Sequence, residues 1–199
     1  IKCNVYTSPH IQKINERFVF NNQQLEDNEL ATLFEEVEKV NDDKPITLFE
    51  ILTACFFHKA AQYPDNLNLI EAGLFHRFDA TNILNNNLAS IITSISKDHL
   101  DWLPENERTI NKIIFEKTSN LLNSNIIIAK QNPFSTMEKI KRTIHQNKYN
   151  KYFFNEDFSF SAGENEFFYY EDKFGGLKLP KPNVLGQFQQ ENISTAIAT

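Results

Sequence analysis

The residue types best suited to chemistry follow one short apolar segment, residues 66–70, which ends in the carboxylate Glu71. A polar loop comes next and contains Arg77, Asp79 and Thr81. In an open parallel α/β sheet, ligands bind just beyond the carboxyl ends of the strands. A carboxylate at such an end, followed by Arg, Asp and Thr, is suited to binding a magnesium nucleotide or a polar substrate. A strand followed by an ordinary solvated loop is the alternative interpretation.

Two other segments also place polar side chains where a strand is expected to end. Ser8 follows a β-prone stretch and precedes Pro9, which disfavours helix at the residue before it, so its hydroxyl is expected on an extended loop. His99 follows the nearly continuous apolar run 88–95, which is typical of a strand covered on both faces by helices. Ser8 could bind a cation or a phosphate, and Glu71 with His99 could bind a divalent metal, although Mg²⁺ prefers oxygen ligands. A strand-terminating turn and a common loop histidine are the alternatives.

The elements that would position these residues alternate between strands and helices. They are defined by helical spacing of apolar residues, by a capping-box pattern at Thr47 and Glu50, and by short apolar runs. Helices are predicted over residues 25–40, 48–63, 106–123 and 135–147, and strands near 4–6, 66–70, 88–95 and 126–128. This alternation predicts an α/β fold with a mostly parallel sheet flanked by helices.

The pattern changes in the last quarter of the chain. Residues 151–160 and 166–171 alternate in polarity and are rich in Phe and Tyr, which predicts a small antiparallel hairpin attached to the parallel sheet. Residues 189–199 resemble the beginning of a helix. The expected divisions are an incomplete parallel α/β domain over 1–150, a β-hairpin appendage over 151–185, and over 186–199 the start of a helix that leads to a further domain.

Composition and charge restrict the class of protein. The chain of 199 residues is 41% hydrophobic, as globular proteins are, and its net charge of −6 argues against a nucleic-acid-binding surface, which is usually basic. Cys3 and Cys55 stand outside any CxxC pattern, which indicates a reducing compartment. The sequence shows no signal-peptide pattern and no apolar run near the roughly 20 residues needed to cross a bilayer. We therefore expect a cytoplasmic protein that binds neither membranes nor nucleic acid.

Five short motifs occur together in this chain. They are YTSPH with NER at residues 6–10 and 15–17, TLFE at 47–50, EAGLFHRFDATN at 71–82, TSISKDHLD at 93–101 and EK at 116–117. Their types and order resemble the folylpolyglutamate synthase/dihydrofolate synthase family of Mur-ligase-like, ATP-dependent ligases over nearly the whole chain. The resemblance implies amide-bond formation with Mg²⁺ and ATP, in which a substrate carboxylate is phosphorylated and the amine of L-glutamate then displaces phosphate. It implies dihydropteroate or tetrahydrofolate as the other substrate, in a family whose members are mostly monomeric.

The resemblance also implies roles for individual residues. Those matched to the Mg²⁺ site near the ATP phosphates are Ser8, Glu71 and His99. Lys117 matches a lysine that is carbamylated in the family and that assists catalysis at the metal together with His99. The positions assigned to the pterin pocket are Thr47, Phe49, Asp79 and Ala80, with Arg77 added for the substrate from the same loop. Asn192 matches an asparagine that lies against adenine, while Phe188 replaces the histidine of that motif.

Three features depart from the family pattern. The family's phosphate-binding loop, GTNGKGS, lies upstream of the position matched by Tyr6, and its carboxy-terminal domain lies beyond the position matched by Thr199. Phe75 and His76 replace two glycines. One hypothesis is a ligase whose remaining parts lie outside these 199 residues, for example on a separately encoded amino-terminal piece; the other is a non-catalytic remnant of that ligase. A peptidoglycan Mur-type ligase is a third alternative, against which the TSPH, NER and DATN motifs speak.

Overall fold

The computed structural model describes residues 1–121, 124–163, 166–186 and 188–199. Contacts between residues divide the chain into two compact units, unit 1 over residues 1–83 and unit 2 over residues 84–199. The domain limits expected at 150 and 185 stay predictions, because compactness does not measure whether a segment folds independently. None of the described helices combines the length and the apolar character that crossing a bilayer requires.

Unit 1 is built from a four-stranded mixed sheet and two helices. Its strands are β1 (Cys3–Tyr6), β2 (Phe18–Phe20), β3 (Gln23–Gln24) and β4 (Leu67–Ile70), and its helices are α1 (Asp27–Asn41) and α2 (Leu48–Ala60). The strand order is β3-β2-β1-β4, with β1 antiparallel to β2 and parallel to β4. This parallel pairing places the carboxyl ends of β1 and β4 at the same edge of the sheet.

An aromatic core joins the sheet of unit 1 to α2. Tyr6, Phe20 and Phe56 are buried, and the Phe56 ring centroid lies 5.1 Å from that of Tyr6 and 5.4 Å from that of Phe20. Burying each such aromatic side chain contributes roughly 1.5–3 kcal/mol, so this cluster fixes β1, and the loop that follows it, against α2. The apolar residues at 48–57 predict a helix that is buried over most of its circumference, but Leu48 in its first turn is exposed.

In its described residues, unit 2 combines two three-stranded sheets with three helices. The parallel sheet has the order β5 (Ala89–Ile92), β6 (Asn125–Ile128) and β7 (Lys151–Phe153), and the antiparallel sheet consists of β8 (Phe158–Ala162), β9 (Phe167–Asp172) and β10 (Gly175–Pro180). The helices are α3 (Ile110–Thr118), α4 (Phe134–Thr143) and α5 (Gln189–Ala198). The predicted fold class, a mostly parallel α/β sheet with a small antiparallel appendage, is confirmed.

Two predicted elements of unit 2 begin in the wrong place. Residues 151–153 do not start the hairpin; they form β7, which pairs in parallel with β6, and the antiparallel sheet begins only at Phe158. The third helix begins at Ile110 because the Thr109 hydroxyl accepts the Lys112 N–H at 3.2 Å and caps the helix at that point. Leu122 and Asn123 of that helix prediction, and Glu164 and Asn165 of the predicted hairpin turn, lie outside the described residues.

The strand predicted near 88–95 is not covered on both of its faces. The structure forms β5 there, but Leu88 and Ile91 are 76% and 43% exposed. By contrast, Ile126, Ile127 and Ile128 of β6 are buried, because this strand lies in the middle of the sheet. A continuous apolar run therefore marked both strands, but only the central one is enclosed.

Candidate functional site

Ser8 and Glu71 lie side by side at the carboxyl ends of β1 and β4. The strand register pairs Tyr6 with Ile70, and the Glu71 N–H donates to the Tyr6 carbonyl oxygen at 2.9 Å. The Ser8 N–H donates to Glu71 Oε2 at 2.6 Å. The structure therefore brings together two of the residues assigned to the metal site from the sequence.

The Ser8–Glu71 pair offers the kind of ligands that Mg²⁺ takes. Glu71 is exposed and Ser8 is partly exposed, so a carboxylate and a hydroxyl are both accessible to solvent. Proteins usually hold Mg²⁺ through one or two carboxylates, with waters and substrate phosphates completing the coordination. Within the described residues, no group of three or more His, Cys, Asp and Glu side chains could hold a metal by itself. The pair therefore fits a Mg²⁺ ion that arrives with a nucleotide.

Asp79 organises the loop that follows β4. Its Oδ2 accepts the Gly73 N–H at 2.9 Å, and its Oδ1 accepts the N–H and the hydroxyl of Thr81 at 3.0 and 2.5 Å. A Cβ atom at Gly73 would lie 2.7 Å from Asp79 Oδ2 and 2.9 Å from Phe49 Cε1, so only glycine fits between them. The structure thus brings Phe49 and Asp79, both assigned to the pterin pocket, close to the same point beside Gly73.

Thr47 and Glu50 form the predicted capping box at the start of α2. Glu50 Oε2 accepts the Thr47 N–H at 2.8 Å and the Thr47 hydroxyl at 2.6 Å, and Thr47 Oγ1 accepts the Glu50 N–H at 3.3 Å. These bonds fix the first turn of the helix, which carries Phe49. The Phe49 ring centroid lies 6.1 Å from that of Tyr6, so Phe49 is oriented by the aromatic core.

The other residues assigned to the substrate also lie on the loop after β4. The guanidinium carbon of Arg77 lies 4.0 Å from the centroid of the Phe78 ring, which is exposed. Ala80 is partly buried between Asp79 and Thr81. All five positions assigned to the substrate, four for the pterin and Arg77, therefore lie in unit 1, at the start of α2 and on this loop.

Burial shifts the pKa of two groups near Asp79. It raises the pKa of the Tyr6 hydroxyl, although a hydrogen bond with Thr53 at 3.1 Å lowers it in part. It lowers the pKa of His76 below its ordinary 6.5, although the charge of Asp79 acts in the opposite direction. Near neutral pH, the surroundings of Asp79 therefore contain a neutral phenol and a neutral imidazole.

The remaining candidate residues lie on three elements of unit 2. His99 precedes a short 3₁₀ turn, Leu100–Trp102, and its Nε2 lies 3.3 Å from Asp98 Oδ2. Lys117 lies in the last turn of α3. Asn192 lies in α5, where its side chain donates to Gln189 Oε1 at 3.1 Å. These three positions are described within unit 2 alone.

No protein-family model matches the chain. Among curated proteins, the dihydrofolate synthase/folylpolyglutamate synthase of Haemophilus influenzae is 34% identical over 146 residues, which are 73% of this chain and 32% of that protein. Among solved structures, Escherichia coli FolC in complex with DHPP and ADP gives a TM-score of 0.83 at 28% identity, covering 99% of this chain and 45% of that chain. The bifunctional folylpolyglutamate synthase/dihydrofolate synthase of Yersinia pestis, complexed with AMPPNP and a Mn ion, gives 0.82 at 27% identity over the same shares. This chain belongs to the dihydrofolate synthase/folylpolyglutamate synthase family.

The family resemblance inferred from the five motifs is thus confirmed. The chain spans 32% of the Haemophilus influenzae family member and 45% of the two solved chains, so it corresponds to part of their length. The agreement in fold extends over both units, because each solved family member covers 99% of this chain.

Sequence reasoning gave no role to Glu16, the acidic residue of the NER motif. In the structure its carboxylate accepts hydrogen bonds from three successive backbone N–H groups, those of residues 11–13. The capping-box pattern could not have found it, because Lys13, three residues before Glu16, has no side-chain acceptor. The family motif marked the residue, but only the structure gives its contacts.

Proposed function

We propose that this chain forms part of an ATP-dependent ligase that joins L-glutamate to dihydropteroate or folate. The observation that carries the proposal is the Ser8–Glu71 pair at the edge shared by β1 and β4. The names of the curated relatives support it, as do relatives solved with DHPP and ADP and with AMPPNP and a Mn ion. The proposed reaction takes place in the cytoplasm.

In this proposal, Glu71 and Ser8 would hold the Mg²⁺ of a magnesium nucleotide at the edge shared by β1 and β4. The family resemblance implies His99 as a further ligand. The bound metal supplies neutralisation of charge on the phosphoryl group as it passes to the substrate carboxylate. That transfer yields an acyl phosphate and ADP; the L-glutamate amine then attacks the acyl carbon, and phosphate and a proton are released. The same resemblance implies that Lys117 would be carbamylated and would supply an anion, and that Asn192 would contact adenine.

The start of α2 and the loop after β4 would form the pocket for the pterin. Phe49 offers a ring face, and Asp79 offers a carboxylate lone pair beyond the three hydrogen bonds that its own loop makes. Arg77 provides a cation whose planar guanidinium suits the carboxylate of a substrate. Thr47, at the start of α2, and Ala80, on the loop after β4, are the other two positions of the proposed pocket.

A ligase assay with Glu71→Gln tests the proposal. The protein is incubated with dihydropteroate, L-glutamate and Mg-ATP, and the products are measured by mass spectrometry and by ADP release. We expect the substrate to gain one glutamate for each ADP formed, and the variant to lose at least about tenfold in rate, since even outer-shell changes at metal sites cost that much. Glu35→Gln, at an exposed position of α1, is the matched control and should retain full activity.

Two results would contradict the proposed function. A folded protein that forms neither ADP nor product would favour the alternative, a chain that keeps the family fold without its catalysis. Equal rates for the wild type and Glu71→Gln would remove the assigned role of the Ser8–Glu71 pair, even if product is formed.

A further inference from the structure

The segment after β1 forms a closed loop, residues 7–17, which we call the 7–17 loop. At its base, the Thr7 N–H donates to the Arg17 carbonyl oxygen at 3.2 Å, and the Thr7 hydroxyl donates to the Glu16 carbonyl oxygen at 3.4 Å. Ser8, whose N–H meets Glu71, is the next residue after this closure. Ser8 is therefore part of the loop, so a change in the shape of the loop can also move Ser8 at the proposed metal site.

The side chain of Glu16 fills the inside of the 7–17 loop. Its Oε2 accepts the Ile11 N–H at 2.8 Å, and its Oε1 accepts the N–H groups of Gln12 and Lys13 at 3.0 and 2.8 Å. Hydrogen bonds to an ionised acceptor are roughly twice as strong as neutral ones. These N–H groups, that of Ile11 most of all, lower the pKa of Glu16, so the carboxylate is charged at neutral pH.

Packing cannot hold the tip of the 7–17 loop. Ile11 is 91% exposed, and Gln12 and Lys13 are exposed as well. The part of the loop after the tip is anchored, because Ile14 packs against the core and the buried Asn15 side chain donates to the Leu25 carbonyl oxygen at 3.0 Å and to Asp27 Oδ1 at 2.9 Å. Arg17 Nε also donates to His10 Nδ1 at 3.0 Å. Because residues 11–13 are exposed, the shape of this tip, which lies between Ser8 and the anchored residues, depends on the hydrogen bonds that Glu16 accepts.

We propose that Glu16 is a positioning residue for Ser8. By holding residues 11–13, its carboxylate fixes the 7–17 loop and thereby keeps the Ser8 N–H on Glu71 and the Ser8 hydroxyl at the strand edge. The consequence for metal binding rests on the proposed function of the Ser8–Glu71 pair; the positioning of Ser8 does not. Glu16 itself touches neither metal nor substrate in this scheme.

Glu16→Gln separates positioning from mere folding. Glutamine has the same shape, but one of its two ends is an NH₂ group that cannot accept, so either Ile11 or the Gln12–Lys13 pair loses its acceptor. Amide hydrogen exchange, read by NMR in the full chain, should be faster at residues 11–13 and at least about tenfold faster at Ser8. The matched control Glu35→Gln, on the exposed side of α1, should leave the exchange at Ser8 unchanged.

A second readout uses Mn²⁺ alone as a probe. Paramagnetic broadening at Ser8 and Glu71 reports its binding, and the apparent Kd should rise about tenfold in Glu16→Gln, the lower end of the range for residues that orient metal ligands. Glu16→Asp retains the charge but is one CH₂ group shorter, so it should show the same loss at Ser8. This variant keeps the test available if the glutamine variant fails to fold.

Unchanged exchange at Ser8 in Glu16→Gln or Glu16→Asp, with faster exchange at residues 11–13, would overturn the proposal. Glu16 would then determine the conformation of residues 11–13 but not the position of Ser8. Absence of Mn²⁺ broadening at Ser8 and Glu71 in the wild type would count against the proposed function instead, while the Ser8 exchange rates would still decide the positioning role. The two failures are therefore distinguishable.

Discussion

The carboxylate of Asp79 is engaged by its own loop before any ligand arrives. Three hydrogen bonds from Gly73 and Thr81 reach its two oxygens, and the loop closes tightly enough against Phe49 that only glycine fits at position 73. Asp79, which the family resemblance assigns to the substrate, therefore also stabilises the structure of its own loop. If an Asp79 variant loses substrate binding, the structure of the loop must therefore be measured as well.

Replacing Asp79 with asparagine should lower the free energy of unfolding by about 1–3 kcal/mol, the cost of leaving a partly buried polar group without its partner. The amide NH₂ would face a donor at either Gly73 or Thr81, so one of the present bonds must be lost. Urea denaturation measures the change. Asp43→Asn, at an exposed position after α1, is the control and should stay within about 0.5 kcal/mol of the wild type.

His76 should make stability depend on pH below neutrality. Burial lowers its pKa in the folded protein below the ordinary 6.5. As the pH falls through 6.5, the unfolded chain therefore binds a proton that the folded chain does not yet bind, and stability falls with the pH until the folded pKa is passed. Thermal melts from pH 7.5 down to about pH 5 should show a smaller decline for His76→Gln. Identical declines in the two proteins would mean that His76 is not buried in solution.

The elements were predicted from sequence where local signals are strong. The capping box at Thr47, the helical spacing of α1 and the three consecutive isoleucines of β6 fixed the type and approximate place of each element. Start points set by a single side chain were missed, because the Thr109 hydroxyl that begins α3 differs little from other polar residues in the sequence.

The sequence also did not predict which strands pair with each other. The alternating residues 151–153 carry the same pattern whether they join β6 or a hairpin, and only the register of the whole sheet decides between the two. For the same reason, the apolar pattern of the sequence predicted that Ser8 and Glu71 each follow a strand, but it did not predict that the two residues lie close together. Their pairing depends on the parallel register of β1 and β4.

Thr47→Ala should destabilise unit 1 by about 1 kcal/mol, the usual cost of removing a side chain that caps a helix. The alanine cannot accept the Glu50 N–H or donate to Glu50 Oε2, whereas serine can do both. Urea denaturation of the alanine and serine variants should therefore separate them, with Thr47→Ser close to the wild type. Equal stability of the two variants would show that the capping box does not stabilise α2.

At the scale of the whole molecule, the candidate residues are divided between the two compact units. Unit 1 carries Ser8, Glu71 and the five positions assigned to the substrate, and unit 2 carries His99, Lys117 and Asn192. Family membership was predictable from the joint order of five motifs, because each motif is weak alone and their combination is specific. The hydrogen bonds that shape the loops were not predictable, since they join residues whose proximity follows from the fold.

The central claim is that the edge formed by Ser8 and Glu71 holds a magnesium nucleotide, and calorimetric titration of Mg-ATP into the folded protein tests it most directly. We expect heat from binding tighter than about 1 mM, which corresponds to about −4 kcal/mol. Glu71→Ala should abolish this heat, and Glu35→Ala should not. A protein that melts cooperatively but gives no heat, or a Glu71→Ala variant that binds as well as the wild type, would contradict the account.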